Sequence, residues 1–493
     1  MIPNSVKYVI LLFFIFCLYY LVGKKYRKLV LLSSSLISLL VLTNIFTLIL
    51  FAFISGFTYY FGIFIYISLT NRAKKIFLIV GIIANIAFLF LLKYILPAYM
   101  PYNNYSVIEL VVYNIGVSYY ILQCISYLYD IRHDIFYPEK NYFTFVLYLI
   151  FFPKFIQGPI ERASSLIPQL KLDNDFNYDN FKSGLLLILI GLFQKAVIAD
   201  RLGLYVDTVY SNVNSYVGPS LYFATFLFSL QLCFDFSGYT NIALGSAKLF
   251  NIHLTPNFNK PYLSTSISEF WKRWHISFSS WLQDYIFQPV QLKLKIIKGG
   301  GYKNRANVIG IFTTFVICGL WHGISFNFLT WGIIISLYMC IGIFTKQYRD
   351  KLKKLLKIEN HPTFNKSLSI FFTFNLITFS WIFFRANSMN DSLYIISNIL
   401  TGWSDIINIT NMNYLETTFF YGHGYTKIFI SFTAIIYFLI VTNTKNYFES
   451  EDITILNKVG WKRWSIYNIT ATFIMLFSYF GDNSKNQFIY FNF

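Results

Sequence analysis

The chain has 493 residues, of which 56% are hydrophobic and only 13% charged, about half the charged share of an ordinary soluble domain. That composition excludes a string of water-soluble domains and suits roughly a dozen membrane spans of about 20 residues each. The net charge of +18 comes from short basic clusters between apolar runs, the pattern of cytoplasmic loops facing anionic membrane lipid, so nucleic-acid binding is set aside.

In chain order, the first apolar run, Tyr8 to Val22, carries its basic cluster behind it and no small-residue cleavage site, so it reads as a retained span. Spans are expected at 6–23, 28–45, 46–70, 75–97, 107–129, 183–206, 219–242, 304–321, 325–345, 366–384, 426–443 and 464–480. The clusters Lys24–Lys28 and Arg72–Lys75 are expected in the cytoplasm, and Pro97–Ser106 and Asp207–Pro219 outside. Three segments do not read as spans. Phe143–Ile160 is apolar but holds Pro153, Lys154, Gly158 and Pro159, which suits a re-entrant or surface element. Residues 266–290 are aromatic and charged together. Residues 386–425 read as a long polar external loop with Trp403 and His423. The five cysteines lie in apolar runs without CxxC pairing, so neither disulfides nor a metal site is expected.

Within the second segment, Ser266 and Glu269 make a capping box that starts a helix. Trp271, Trp274, Phe278, Trp281 and Tyr285 then recur at three- and four-residue spacing on one face, with Lys272 and Arg273 off it. Such a helix lies at an interface or covers a cavity. His275 borders the stripe, and two readings stand open: a hydrogen-bonded core histidine or an active-site group.

The run Asn307–Phe344 holds no Asp, Glu, Lys or Arg and a single histidine, His322, between Trp321 and Gly323. An ionisable group at membrane depth is costly and is a functional candidate by default. The run starts after Arg305 and ends before Lys346, so it reads as a hairpin with both ends cytoplasmic. Arg305 to His322 is about 26 Å of helix, which puts His322 in the outer half. Gly319 and Gly323 permit a turn or a close approach. A neutral imidazole there can take a proton from a hydroxyl; a helix-packing histidine is the structural alternative. Cys318, one turn earlier, raises an acyl-cysteine relay, although a buried thiol is usually inert.

Several motifs, in this order, resemble one family. They are Gly116-Val-Ser-Tyr-Tyr through Ser126-Tyr-Leu-Tyr-Asp130, Phe152-Pro-Lys-Phe-Ile-Gln-Gly-Pro-Ile-Glu-Arg162 and Gly191-Leu-Phe-Gln-Lys-Ala-Val-Ile-Ala-Asp-Arg201. Phe234-Asp-Phe-Ser-Gly-Tyr239, Asn257-Phe-Asn-Lys-Pro-Tyr-Leu263, Ser266–Trp281, Gly319-Leu-Trp-His-Gly323 and Phe488–Phe493 continue the series. Together they resemble the membrane-bound O-acyltransferase (MBOAT) superfamily, in the bacterial branch of alginate O-acetylases and peptidoglycan O-acetyltransferases. After Pro289 the chain departs from the family pattern with Val290–Gly301, which bears on where a donor docks.

The resemblance implies an all-α polytopic fold, a ring of about 11–12 transmembrane helices with re-entrant and interfacial helices around a central tunnel. The chain is then one integral-membrane domain, 1–493, with N-terminal spans in 1–130, a catalytic core in 142–345 and C-terminal spans in 346–493. His322 is implied as the catalytic base, with His275 as a second active-site or tunnel residue. Trp321, Asp235, Ser237, Tyr239, Trp271, Lys272, Arg273, Trp274, Gln157, Glu161 and Arg162 are the accompanying substrate-side candidates. No bound cofactor is expected; the donor substrate is an acyl thioester, acetyl-CoA or an acyl carrier, delivered by a cytoplasmic donor protein in the latter case. The implied activity is O-acetylation of an envelope or exported polysaccharide from the inner (cytoplasmic) membrane, finished by a separate periplasmic or extracellular acyltransferase partner. D-alanyl transfer to teichoic acid is the rival within the class. A glycan or lipid transporter is the rival outside it, and the sequence shows no internal repeat to favour one.

Overall fold

The computed structural model describes residues 6–42, 45–95, 116–155, 158–172, 174–298, 303–442 and 460–478. The expected segment Pro97–Ser106, Gln157 and the Phe488–Phe493 motif lie outside these residues. The described chain is helical, with one isolated antiparallel bridge, and it falls into two compact units.

The first unit comprises Met1–Leu192, Gly238–Pro256 and Gln487–Phe493. Its helices are α1 (Val6–Leu21), α2 (Lys24–Leu42), α3 (Ile45–Ile67), α4 (Asn71–Phe90), α5 (Val117–Arg132), α6 (Tyr142–Ile150), α7 (Ala163–Lys171) and α8 (Tyr178–Leu192). The Thr70 side chain starts α4 by accepting the Ala73 N–H at 3.2 Å, a regular N-cap. Between α3 and α4 the fully buried Asn85 donates to Thr58 at 3.3 Å and to the Gly81 carbonyl at 2.9 Å, so a polar side chain inside the apolar layer is satisfied. The expected re-entrant segment is α6, nine residues and too short to span, followed by buried non-helical chain through Phe155.

The C-terminal part of α10 (Gly218–Lys248) belongs to this unit, and α8 lies directly against it. A Cβ on Gly191 would stand 2.5 Å from the Gly238 carbonyl oxygen, and one on Gly245 would stand 2.5 Å from that of Gly184. Two glycine pairs, each seven residues apart on its helix, thus bring the backbones into contact, the small-residue packing of membrane helices.

The second unit comprises Phe193–Ser237 and Asn257–Asn486. Here the chain of α8 continues as a wide π turn, Phe193–Ala199, into α9 (Asp200–Ser211). After α10 come α11 (Ile267–Arg273), α12 (Ile276–Leu282), α13 (Gln288–Lys298), α14 (Lys303–His322), α15 (Phe326–Phe344), α16 (Lys346–Leu355) and α17 (Pro362–Arg385). The last described elements are α18 (Met389–Asn398), α19 (Met412–Thr418), α20 (Tyr425–Thr442) and α21 (Gly460–Phe477). Seven helices of the described chain are long and apolar enough to cross a membrane.

Two expectations change in this unit. The single helix expected from Ser266 is broken into α11 and α12 at His275. The expected loop 386–425 is mostly short helices, tied side chain by side chain to residues 207–220. Arg385 pairs with Asp207 at 2.7 Å, Asn387 donates to the Tyr210 carbonyl at 3.0 Å, and Tyr421 donates to the Ser220 carbonyl at 2.7 Å. Thr208 and His423 share a hydrogen bond of 2.8 Å. Polar residues that suggested a loop are thus spent on a folded cap.

Candidate active site

Ser266 caps α11 as expected, accepting the Glu269 N–H at 3.2 Å, while the Glu269 carboxylate reaches back to Thr265. The helix stops where Phe258 pairs with Trp274 in the isolated bridge. Asn259 N–H donates to the Arg273 carbonyl at 2.9 Å. Asn257, completely buried, accepts the Ile276 N–H on its backbone oxygen at 3.0 Å and the Ser277 N–H on its side-chain oxygen at 3.1 Å. Held on both sides, His275 takes a left-handed backbone (φ 46°, ψ 53°), a conformation costing a non-glycine residue roughly 1–3 kcal/mol. Its ring sits edge-on to Phe236 at 4.7 Å and 5.0 Å from Phe278. Burial pushes this imidazole down to about 3, so it is neutral at physiological pH.

His322 is the last residue of α14. The turn Gly323–Ser325 follows, and the Ser325 hydroxyl oxygen caps α15 by accepting the Phe328 N–H at 3.3 Å. The hairpin closes through backbone contact. A Cβ on Gly319 would stand 2.4 Å from the Phe328 carbonyl oxygen, and one on Gly332 would stand 2.3 Å from that of Phe315. This close approach brings the His322 ring among aromatic rings: Trp321 at 4.8 Å, Phe384 at 5.0 Å, Trp331 at 5.4 Å and Phe328 at 6.1 Å. The Phe278 ring lies 6.2 Å from His322 and stacks on Trp321 at 4.4 Å. Phe278 therefore touches both histidines, and the two rings share one aromatic cluster.

Tryptophans extend the cluster. Trp331 lies 5.9 Å from Trp271 and stacks at 5.8 Å on Trp381, which lies 5.4 Å from Trp274. All four are buried. The indole N–H groups of Trp271, Trp331 and Trp381 have no hydrogen-bond partner among the described residues, an arrangement that costs about 1–3 kcal/mol for each buried donor.

The sequence profile of the MBOAT, membrane-bound O-acyltransferase family, matches residues 27–383. This chain belongs to that family. As an MBOAT protein it is a multi-pass membrane acyltransferase. It is 28% identical over 481 residues to the peptidoglycan O-acetyltransferase of Helicobacter pylori, covering 89% of this chain and 86% of that relative. It is 30% identical over 389 residues to a probable alginate O-acetylase of Pseudomonas aeruginosa, covering 76% and 69%. It is 28% identical over 332 residues to a teichoic acid D-alanyltransferase of Bacillus subtilis, covering 65% and 80%.

The other candidates of this MBOAT chain fall into separate settings. Lys272 is exposed, and Arg273 pairs with Glu269 at 2.8 Å on the outer side of α11. Asp235 and Ser237 lie on the N-terminal part of α10. There Lys195 pairs with Asp235 at 2.6 Å and with Asp200 at 2.7 Å, and Gln194 donates to Ser237 at 2.8 Å. Lys195 and Asp200 are five residues apart, which an α-helix would set about 140° apart around its axis; the wide turn brings them to one face. Asp235 is therefore an ion-pair residue, and its neighbour Phe236 is the one against His275.

Tyr239, Glu161 and Arg162 belong to the first unit. Glu161 is buried and accepts the N–H and hydroxyl of Thr255 at 2.5 and 3.2 Å, while half-buried Arg162 precedes α7. Gln157 lies outside the described residues. Cys318 is fully buried. The sequence did not single out Trp331 or Phe384, and it held Asn257 and Lys195 only as members of longer motifs. Lys195 carried a legible signal, a charge inside the expected span 183–206, and Asn257 opens a motif; Trp331 and Phe384 carried none before the hairpin was folded.

Proposed function

We propose that this MBOAT protein moves an acetyl group from a thioester on the cytoplasmic side, acetyl-CoA or an acyl carrier, for O-acylation of an envelope or exported polysaccharide. It sits in the cytoplasmic membrane, and a separate external acyltransferase completes the transfer to the glycan. The observation that carries the reading is His322, a titratable ring closed in by aromatic side chains at the turn of the α14–α15 hairpin, in a member of this family. The acceptor hydroxyl gives its proton to His322 as its oxygen attacks the thioester carbonyl. The aromatic wall keeps water from the donor. The peptidoglycan O-acetyltransferase is matched over 89% of this chain, against 65% for the D-alanyltransferase, which favours acetyl over D-alanyl.

The test measures base-labile acetate on isolated envelope glycans from cells lacking the protein, complemented with wild type or His322→Ala at matched membrane levels. Acetate restored by wild type alone is the expected result. Equal restoration by both removes His322 from the chemistry. Release of D-alanine instead of acetate would transfer the reading to teichoic acid modification.

A further inference from the structure

We infer that Trp331 is a second catalytic residue, whose indole N–H binds the acyl carbonyl oxygen while His322 handles the proton; this rests on the acyltransferase reading above. Three observations lead there. Trp331 is 1% exposed, and its N–H meets no acceptor among the described residues, although a buried donor ordinarily has one. Its ring stands edge-on to His322, at 5.4 Å and 86°. The glycine contact that closes the hairpin, Gly332 against the Phe315 carbonyl, involves the very next residue, so Trp331 is fixed on rigid backbone. Trp271 and Trp381 share the first property, but of the three indoles it is Trp331 whose ring meets His322.

The chemistry calls for such a group. As the acceptor oxygen bonds to the thioester carbon, the carbonyl π pair moves onto the carbonyl oxygen, and the hydroxyl proton passes to a ring nitrogen of His322. The new oxyanion needs a preorganised donor, and an indole N–H supplies one without carrying a charge into the bilayer. When the tetrahedral carbon collapses, the C–S bond breaks and the leaving thiolate takes the proton back from His322. Charges and atoms balance with these two side chains alone.

The experiment follows the initial rate at which base-labile acetyl appears on envelope glycans after induction, with membrane levels and melting temperatures matched to wild type. Trp331 is replaced by its benzothiophene isostere, which keeps the ring shape and loses only the N–H, and separately by Phe. Loss of one such donor typically lowers turnover by about 10²–10³-fold, and the isostere is expected to fall that far at unchanged stability. Trp331→Phe is expected to fall at least as far. An isostere with the wild-type rate overturns the proposal, whatever the Phe variant does, because packing alone then accounts for Trp331. His322→Ala is run in parallel. Its inactivity beside an active isostere leaves the acyltransferase reading standing; its activity removes both.

Discussion

Asn257 gives two oxygens to two successive N–H groups, and the backbone between them has little choice but to bend through His275. Asn257→Ala removes one of those bonds and leaves the Ser277 N–H buried without its acceptor. A loss of about 1–2 kcal/mol is expected, read as a lower melting temperature in detergent, together with lower glycan acetate. Asn257→Asp keeps the acceptor and is expected to retain more of both; equal damage from the two variants would remove the clamp from the account. At this scale the sequence was informative only where chemistry is intrinsic to one residue. His322 announces itself as the single histidine in a long apolar run without Asp, Glu, Lys or Arg. The strained backbone of His275 does not, since a residue 18 positions earlier imposes it.

Helices were legible wherever the bilayer dictates length. The expected 366–384 is α17, Pro362–Arg385, and 426–443 is α20, Tyr425–Thr442, because about 20 apolar residues is what the membrane demands. The break after α11 was hidden for a related reason. Both short helices keep their aromatic residues inward, so the three- and four-residue spacing runs through the interruption undisturbed. The folded cap at 386–425 was hidden because its stability comes from partners at 207–220. Where helices meet, glycine decides the distance. Gly332→Leu would drive a side chain into the Phe315 carbonyl and wedge α14 from α15, moving His322 out of its aromatic wall. Acetate transfer is expected to fall to the level of His322→Ala while the protein still reaches the membrane. Full activity in this variant would mean that the tight hairpin is not needed for the site.

The whole molecule is charged asymmetrically. Between Arg385 and Lys427 there is no lysine or arginine, only Asp391, Asp405 and Glu416, whereas α16 alone carries Lys346, Arg349, Lys351, Lys353 and Lys354. Basic loops stay inside, so the cap is expected outside and α16 in the cytoplasm. In a protein freed of its five native cysteines, Asn411→Cys is expected to react with a membrane-impermeant maleimide in intact cells. Lys351→Cys is expected to react only after permeabilisation. The reverse pattern would invert the protein and place His322 near the cytoplasmic face.

The wide turn Phe193–Ala199 has a mechanical consequence. A turn of this kind can travel along a helix, each residue handing its hydrogen bond to the next, and so let a span slide by small steps. Here travel would carry Lys195 off Asp200 and strand a carboxylate in apolar surroundings, so the turn is pinned where it stands. The amides of 193–199, all on buried residues, are expected to exchange with deuterium among the slowest in the protein, and Lys195→Met is expected to release them. Slow exchange that persists in Lys195→Met would show that the turn holds without its pin.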